Sequence, residues 1–332
     1  MTRGHPFDVR LVVVDADGTL LTSDEGVTAS TRAALSDAQS RGVAVAIATG
    51  RRRTRTQEVF ERLGLDGVFL VSSQGTAVWR DPMGASPILL ADWHLAATTA
   101  RDVRNAIRAH GLAYALLGNA RQPDAVWHEG DLDAHPAIAA YVARNPLAAR
   151  PFDQVESFRH DPTQFVVLAP LHRLRDLRDD LTGRAVARDT IDRLPSCRPV
   201  LDGVSRPWHV IFSRGQFTAG AALEVVGPDT NKATGVSALA GHLGITMAQV
   251  AAFGDNVNDV EMLRAVGLGV AMGNATPAAR AGAWHGITRR DGHATTFDRI
   301  APSNDRDGIA WTLDYLRQGH LPPGWCAPLA GP

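Results

Sequence analysis

Lysine is almost absent from this sequence: of 34 basic residues one is lysine, Lys232, and the other 33 are arginine. The chain uses arginine wherever either cation serves, so Lys232 marks a position where a compact ammonium is kept in place of a planar guanidinium. Cysteine is nearly as scarce, with only Cys197 and Cys326. Two cysteines exclude a disulfide framework, and neither belongs to a paired motif or to a Cys/His cluster of zinc spacing. A surplus of charge is lacking too, since 34 basic residues face 35 acidic ones for a net charge of −1. No global field then draws the protein to nucleic acid or to an anionic membrane. No apolar run reaches the roughly 18 residues of a membrane span, and Met1 to Arg10 lacks the apolar stretch of a secretory signal. The expectation is a soluble, cytoplasmic protein whose partner is a small molecule, with neither nucleic acid nor membrane as a partner. Oligomeric state is not legible.

What is present is globular: 332 residues, 45% hydrophobic and 21% charged, enough for two packed units. The run Leu11-Val12-Val13-Val14 predicts a buried strand stopped by Asp15-Ala16-Asp17-Gly18-Thr19. A helix follows from the Thr28–Thr31 caps to about Ser40, then a strand over Val43 to Ala48, a helix over Arg53 to Leu63 and a strand over Val68 to Val71. The alternation returns late, with a strand at Val250 to Phe253, a helix to about Val266 and a strand from Leu268 to Met272. Continuous apolar strands alternating with helices predict an α/β fold, a Rossmann-like parallel sheet with helices on both faces. Between these parts the pattern changes to isolated helices (Ala96–His110, Leu171–Leu181) and strands with polar flanks (Leu112–Leu117, Gln164–Leu168, Trp208–Phe212). The predicted organisation is core over 1–77, an inserted α+β cap over 78–224, core again over 225–320, and a mobile tail over 321–332.

Ligands of open parallel sheets bind beyond the carboxyl ends of the strands. Asp15 and Asp17 follow the first strand, Thr49 and Gly50 the second, Asp255 and Asp259 the late one, so carboxylates distant in sequence converge on one edge. Four clustered carboxylates repel unless a cation or protons compensate. A hard divalent cation, Mg²⁺, is the economical solution because it takes oxygen ligands and pairs readily with substrate phosphate. Taken singly, each motif is an ordinary turn, cap or surface charge; their joint order is what carries the reading.

That joint pattern resembles the haloacid dehalogenase superfamily, in particular its Cof-type, subclass IIB phosphatases with a large inserted cap. The resemblance covers Val12 to Arg52 and Glu224 to Ala275, with a further match at Ser303-Asn304-Asp305-Arg306-Asp307-Gly308-Ile309-Ala310. It implies that Asp15 is the nucleophile and that Asp17, held protonated by neighbouring carboxylates, is the general acid/base. It places Thr49, Gly50, Lys232 and Asn258 at the phosphoryl group, and Mg²⁺ on Asp15, Asp255 and the backbone carbonyl of Asp17, with Asp259 in support. Family members usually show Asn-Gly after the third strand, where this chain has Gln74-Gly75. Gln74, Arg51, Arg206 and His209 are candidate substrate contacts. The stretch Gly282 to Pro302 is longer than the usual connection and reads as a surface elaboration.

The expected activity is Mg²⁺-dependent hydrolysis of a small phosphomonoester, a sugar or polyol phosphate by preference, through an aspartyl-phosphate. Asp17 argues against dehalogenation, which needs no protonated leaving oxygen. The absence of membrane spans, and Ala16 in place of lysine, argue against an ion-pumping ATPase. No Gly-x-Gly-x-x-Gly or Walker loop follows a strand, which disfavours a nucleotide-dependent oxidoreductase. Two alternatives stay open: a phosphomutase using the same carboxylates, and a phospho-ligand sensor that keeps the fold without turnover.

Overall fold

A computed structural model of the chain describes residues 8–122, 125–145, 149–183, 200–201, 204–205, 207–214, 221–283, 285–288, 294–297, 301–322 and 325. The core opens with β1 (Leu11–Asp15), buried throughout, and α1 (Ala29–Ser40). The Thr28 hydroxyl accepts from the Thr31 amide at 3.1 Å and so satisfies a donor that the helix start leaves orphaned. β2 (Ala44–Ala48), α2 (Gln57–Leu63) and β3 (Phe69–Ser72) follow.

The core sheet then continues where the cap was expected to begin. β4 (Ala77–Arg80) and β5 (Ile88–Asp92) add antiparallel to β3, so the predicted boundary at residue 77 moves past Asp92. The cause is the tight turn at Ser73, Gln74 and Gly75, all at positive φ (50°, 60° and 93°), which sends the chain straight back along β3.

The cap comprises α3 (Ala97–Ala109), β6 (Tyr114–Leu117), β7 (Val126–Glu129), α4 (Pro136–Ala143), β8 (Ala149–Pro151), β9 (Gln164–Ala169), α5 (Leu171–Thr182), the short pair β10 (Val200–Leu201) and β11 (Val204–Ser205), β12 (His209–Arg214) and β13 (Ala221–Val226). Its six-stranded sheet runs β12-β13-β9-β6-β7-β8. Glu224, Val225 and Val226 pair with Val166, Phe165 and Gln164. The return to the core therefore falls after Val226 rather than after Glu224. The second core part holds α6 (Lys232–His242), β14 (Val250–Gly254), α7 (Val260–Ala265), β15 (Leu268–Ala271), α8 (Pro277–Gly282), an antiparallel pair β16 (His285–Thr288) and β17 (Ala294–Phe297) within the expected elaboration, and α9 (Gly308–Arg317).

The core sheet order is β15-β14-β1-β2-β3-β4-β5. Alternation along β1 separates its two faces. Val12 and Val14 pack with Leu35, Val59, Leu63 and Ile309 from α1, α2 and α9. Leu11 and Val13 pack with Val236, Leu239, Met262 and Ala279 from α6, α7 and α8. Each such fully buried aliphatic side chain contributes roughly 1.5–3 kcal/mol, so both faces are firmly covered and the strand ends are held still. Asp15 has the parity of Leu11 and Val13, which aims it at the α6 side.

The cap sheet is sorted in the same way. Phe165, Val167, Leu223 and Val225 face α3 and α5, while Val166, Leu168 and Ala222 belong to the opposite face with Ile138 of α4. The predicted mobile tail is partly anchored: Leu321 and Trp325 pack on the core, with the Trp325 ring edge-on to Trp311 at 6.1 Å. The rest of that tail beyond Trp325 lies outside the described residues. Among the described residues no helix is long and apolar enough to cross a membrane.

Candidate active site

Asp15 ends β1 almost fully buried, and Lys232, the first residue of α6, meets it there. The Lys232 Nζ donates to Asp15 Oδ1 at 2.5 Å and to Asp259 Oδ1 at 2.6 Å. A cation at a helix N-terminus opposes the helix dipole, and burial by itself lowers the ammonium's pKa. The two carboxylates outweigh both effects and hold Lys232 above its ordinary value. The helix start is fixed by Asn231, whose side chain accepts from the Thr234 amide at 3.1 Å.

Asp259 is wholly buried, and its second oxygen accepts from the backbone amides of Asp255 and Asn256 at 3.1 and 3.0 Å. With one oxygen on Lys232 and the other on these amides, Asp259 shapes the loop more than it offers free ligand atoms. Asp255 Oδ1 accepts from the Thr19 hydroxyl at 3.0 Å. Gly18 makes the approach of these two loops possible. It sits at φ +80°, and a Cβ there would lie 2.6 Å from Asp255 Oδ2.

Asp15, Asp255 and Asp259 offer oxygens that all lie within 4.8 Å of one another. Burial first, and then the neighbouring carboxylates, raise Asp15 well above the ordinary range against the pull of Lys232. The same causes push Asp255 up to about 7. One ammonium among three carboxylates leaves negative charge uncompensated, and hard oxygen donors at this spacing fit a divalent cation such as Mg²⁺.

Asp17 adds no side-chain oxygen to that trio. Its carboxylate is gripped in a bidentate pair by Arg51, through Nε at 2.9 Å and through Nη2. The immediate charged partner of Asp17 is a guanidinium, because the loop after β2 turns Arg51 back over the loop after β1. Thr49 is fully buried and its hydroxyl accepts from the Arg51 amide at 3.1 Å, which sets that loop. Gly50 leaves room for Gln74, since a Cβ there would lie 2.6 Å from Gln74 Nε2.

A cavity of about 170 Å³ opens between this edge and the cap, with Asp15, Asp17, Gly50, Arg51, Gln74 and Asn258 among its core-side walls. Arg52 and Arg55 also reach it from the core, and Tyr141, Arg144, Asn145, Gln164, Val166, Leu168, Ala222 and Glu224 from the cap. Arg52 donates to the Asn145 side chain. Gln74 Nε2 donates to Glu224, and Gln74 Oε1 accepts from Asn258 Nδ2 at 3.0 Å. The cap residues went unpredicted because they come from separate strands and one helix. One signal was available: Glu224 is the sole charge in the apolar run Ala221-Ala222-Leu223-Glu224-Val225-Val226. Burial lifts its carboxyl to about 7 although Gln74 and Gln164 donate to it.

Of the expected substrate contacts, one does not line the cavity and another lies outside the described residues. His209 is buried on β12 and does not line the cavity, although β12 packs against the segment that carries Asn258 and Asp259. Arg206 lies outside the described residues. Trp208 packs in the cap core and donates to the Leu181 carbonyl at 3.3 Å.

Comparison with known proteins agrees with this geometry. The sequence model of the haloacid dehalogenase-like hydrolases matches residues 12–184 and 208–313. The HMP-PP phosphatase of Cronobacter sakazakii is 31% identical over 268 residues, covering 81% of this chain and 85% of that protein. The 5-amino-6-(5-phospho-D-ribitylamino)uracil phosphatase YcsE of Bacillus subtilis is 25% identical over 309 residues, covering 93% and 96%. Among solved structures, the phosphatase BT1666 of Bacteroides thetaiotaomicron superposes with a TM-score of 0.68 at 21% identity, over 96% of this chain and 98% of that one. The subclass IIB sugar phosphatase BT4131 gives 0.66 at 17% identity, over 93% and 99%. With its strand-end carboxylates, buried lysine and inserted cap, the chain belongs to the haloacid dehalogenase-like hydrolase family, as one of its cap-bearing phosphatases.

Proposed function

We propose that the protein hydrolyses a small phosphorylated metabolite through an aspartyl-phosphate, with Mg²⁺ as its cofactor. The observation that carries this reading is the buried Asp15–Lys232–Asp259 contact behind the cavity between core and cap, with Asp15 and Asp17 both on its wall. An Asp15 oxygen attacks phosphorus, the bond to the leaving oxygen breaks, and Asp17, having taken up a proton from solvent once Arg51 turns to the phosphate, delivers it to that oxygen. Water then attacks the phosphorus of the aspartyl-phosphate, the Asp15–phosphorus bond breaks, and Asp17 takes the water's proton.

Lys232 stays beside Asp15 throughout, and together with Thr49 and the loop amides it steadies the equatorial oxygens, where phosphoryl transfer is most sensitive to charge. Arg51 has a second task. An arriving phosphate dianion competes with Asp17 for the guanidinium, and transfer of Arg51 to the phosphate releases Asp17 for proton exchange. Asp15 and Asp255, with the Asp17 backbone carbonyl, would hold the cation, and Asp259 would orient them. A bound Mg²⁺ supplies charge neutralisation between nucleophile and phosphate.

The relatives named above are an HMP-PP phosphatase and a 5-amino-6-(5-phospho-D-ribitylamino)uracil phosphatase, which supports a small phosphorylated metabolite as substrate; a sugar or polyol phosphate is the preferred class. The test is phosphate release from a panel of phosphomonoesters with and without Mg²⁺, using the wild-type protein and Asp15→Asn. Metal-dependent release abolished by the substitution is the expected result. Isomerisation of a hexose phosphate without release would replace the hydrolase by a mutase, and binding without either reaction would leave a sensor.

A further inference from the structure

The part of the cavity's cap wall that the cap sheet forms is hydrocarbon except at one place. Alternation along β9 and β13 turns Gln164, Val166, Leu168, Ala222 and Glu224 to the same side, and all five line the cavity. Three are apolar; Gln164 and Glu224 are polar and buried, Gln164 completely. Packing alone does not call for either, since burying polar groups costs free energy unless they are hydrogen-bonded.

Their bonds form a chain that crosses the cavity. Glu224 Oε1 accepts from Gln164 Nε2 at 3.0 Å, and Oε2 accepts from Gln74 Nε2. Gln74 Oε1 accepts in turn from Asn258 Nδ2. Two buried acceptors in this chain have no donor, Gln164 Oε1 and Asn258 Oδ1. Carboxylate oxygens each take two hydrogen bonds, so Glu224 also retains accepting capacity. Buried acceptors short of donors, set beside a strip of hydrocarbon, complement a molecule that presents O–H or N–H groups and lays its carbon skeleton on Val166, Leu168 and Ala222.

We propose that Glu224 and Gln164 are the specificity-determining pair of the leaving-group pocket, accepting hydrogen bonds from hydroxyl or amino groups of the phosphomonoester's organic part, with Gln74 as the positioning residue that fixes Glu224 from the core side. The proposal rests on the phosphatase reading above. It also gives the Gln74-Gly75 departure a purpose, because the longer amide side chain spans from Asn258 in the core to Glu224 in the cap.

The experiment compares Glu224→Gln, Gln164→Leu and Gln74→Asn with wild type on a hexitol phosphate, on aminoethyl phosphate and on nitrophenyl phosphate, whose leaving group has no donor. For the donor-bearing substrate that wild type prefers, Glu224→Gln and Gln164→Leu are expected to raise KM about 10- to 100-fold with little change in kcat. Gln74→Asn is expected to raise it less. Nitrophenyl phosphate turnover by Glu224→Gln and Gln164→Leu should stay within about twofold, and which donor-bearing substrate suffers more tells hydroxyl from amino recognition. Equal losses on all three substrates would reduce the pair to a latch between core and cap and overturn the proposal, as would unchanged KM for both donor-bearing substrates. If wild type turned over none of the three, the phosphatase reading would fall. The pair is then judged by calorimetric binding of the hexitol and aminoethyl phosphates, where equal affinity with and without Gln164→Leu overturns it.

Discussion

The two walls of the cavity are built by opposite means. The core wall concentrates full charges in contact, Lys232 between Asp15 and Asp259 and Arg51 on Asp17. The cap wall sets Tyr141, Arg144 and Asn145 beside a strip of hydrocarbon crossed by a hydrogen-bonded chain of amides and one carboxylate. Charge in contact suits a reaction whose transition state carries charge on phosphoryl oxygens. Apolar surface with a few acceptors suits the sorting of organic groups by shape and donors. Chemistry and selectivity can then vary separately, because they sit on different sheets.

That separation is open to attack, most forcefully at the nucleophile. Asp15→Asn should reduce phosphate release by about 10³-fold or more for every substrate, whatever its leaving group. Substrate-dependent losses would show that the core wall also selects. Next comes the buried lysine. Lys232→Met strands two buried carboxylates and should cost about 3–5 kcal/mol in urea denaturation, with part of that stability recovered on adding Mg²⁺; a variant as stable as wild type would break the charge argument.

Glu224 sharpens the contrast through pH. Burial raises its folded pKa to about 7 from an ordinary 4.5. The contribution to stability is thus fully present below about pH 4.5 and is lost as pH rises through about 7. Over that window Glu224→Gln should gain about 3 kcal/mol relative to wild type, read from paired denaturation curves. A constant difference between the two proteins would show that the carboxylate is solvated in the free protein. The smallest expected effect is at the α6 cap. Asn231→Ala removes the bond to the Thr234 amide and should cost about 1 kcal/mol, with a modest fall in kcat as Lys232 loses its fixed start.

How far the sequence foretold these walls differs between them. Strands β1, β2, β3, β14 and β15 were legible as short apolar runs ended by polar turns, and the core carboxylates, Thr49 and Lys232 were legible because those turns carry them. β4 and β5 were not, because the intervening stretch Asp81 to Ser86, with one proline and one glycine, masks the pairing that the turn at Gln74 imposes. Arg51 is a candidate substrate contact in the sequence, yet its grip on Asp17 needs the tertiary approach of two loops.

By itself the sequence determined the layered α/β core and the charged edge, since burial periodicity and strand-end turns are local properties that one stretch of chain carries whole. Only the tertiary structure decided the cap wall, where Gln164 and Glu224 lie 60 residues apart in the chain and Gln74 lies a further 90 before Gln164. Their meeting depends on strand register and on which face of the cap sheet is turned to the core. A shift of one residue in that register would turn both side chains to the opposite face.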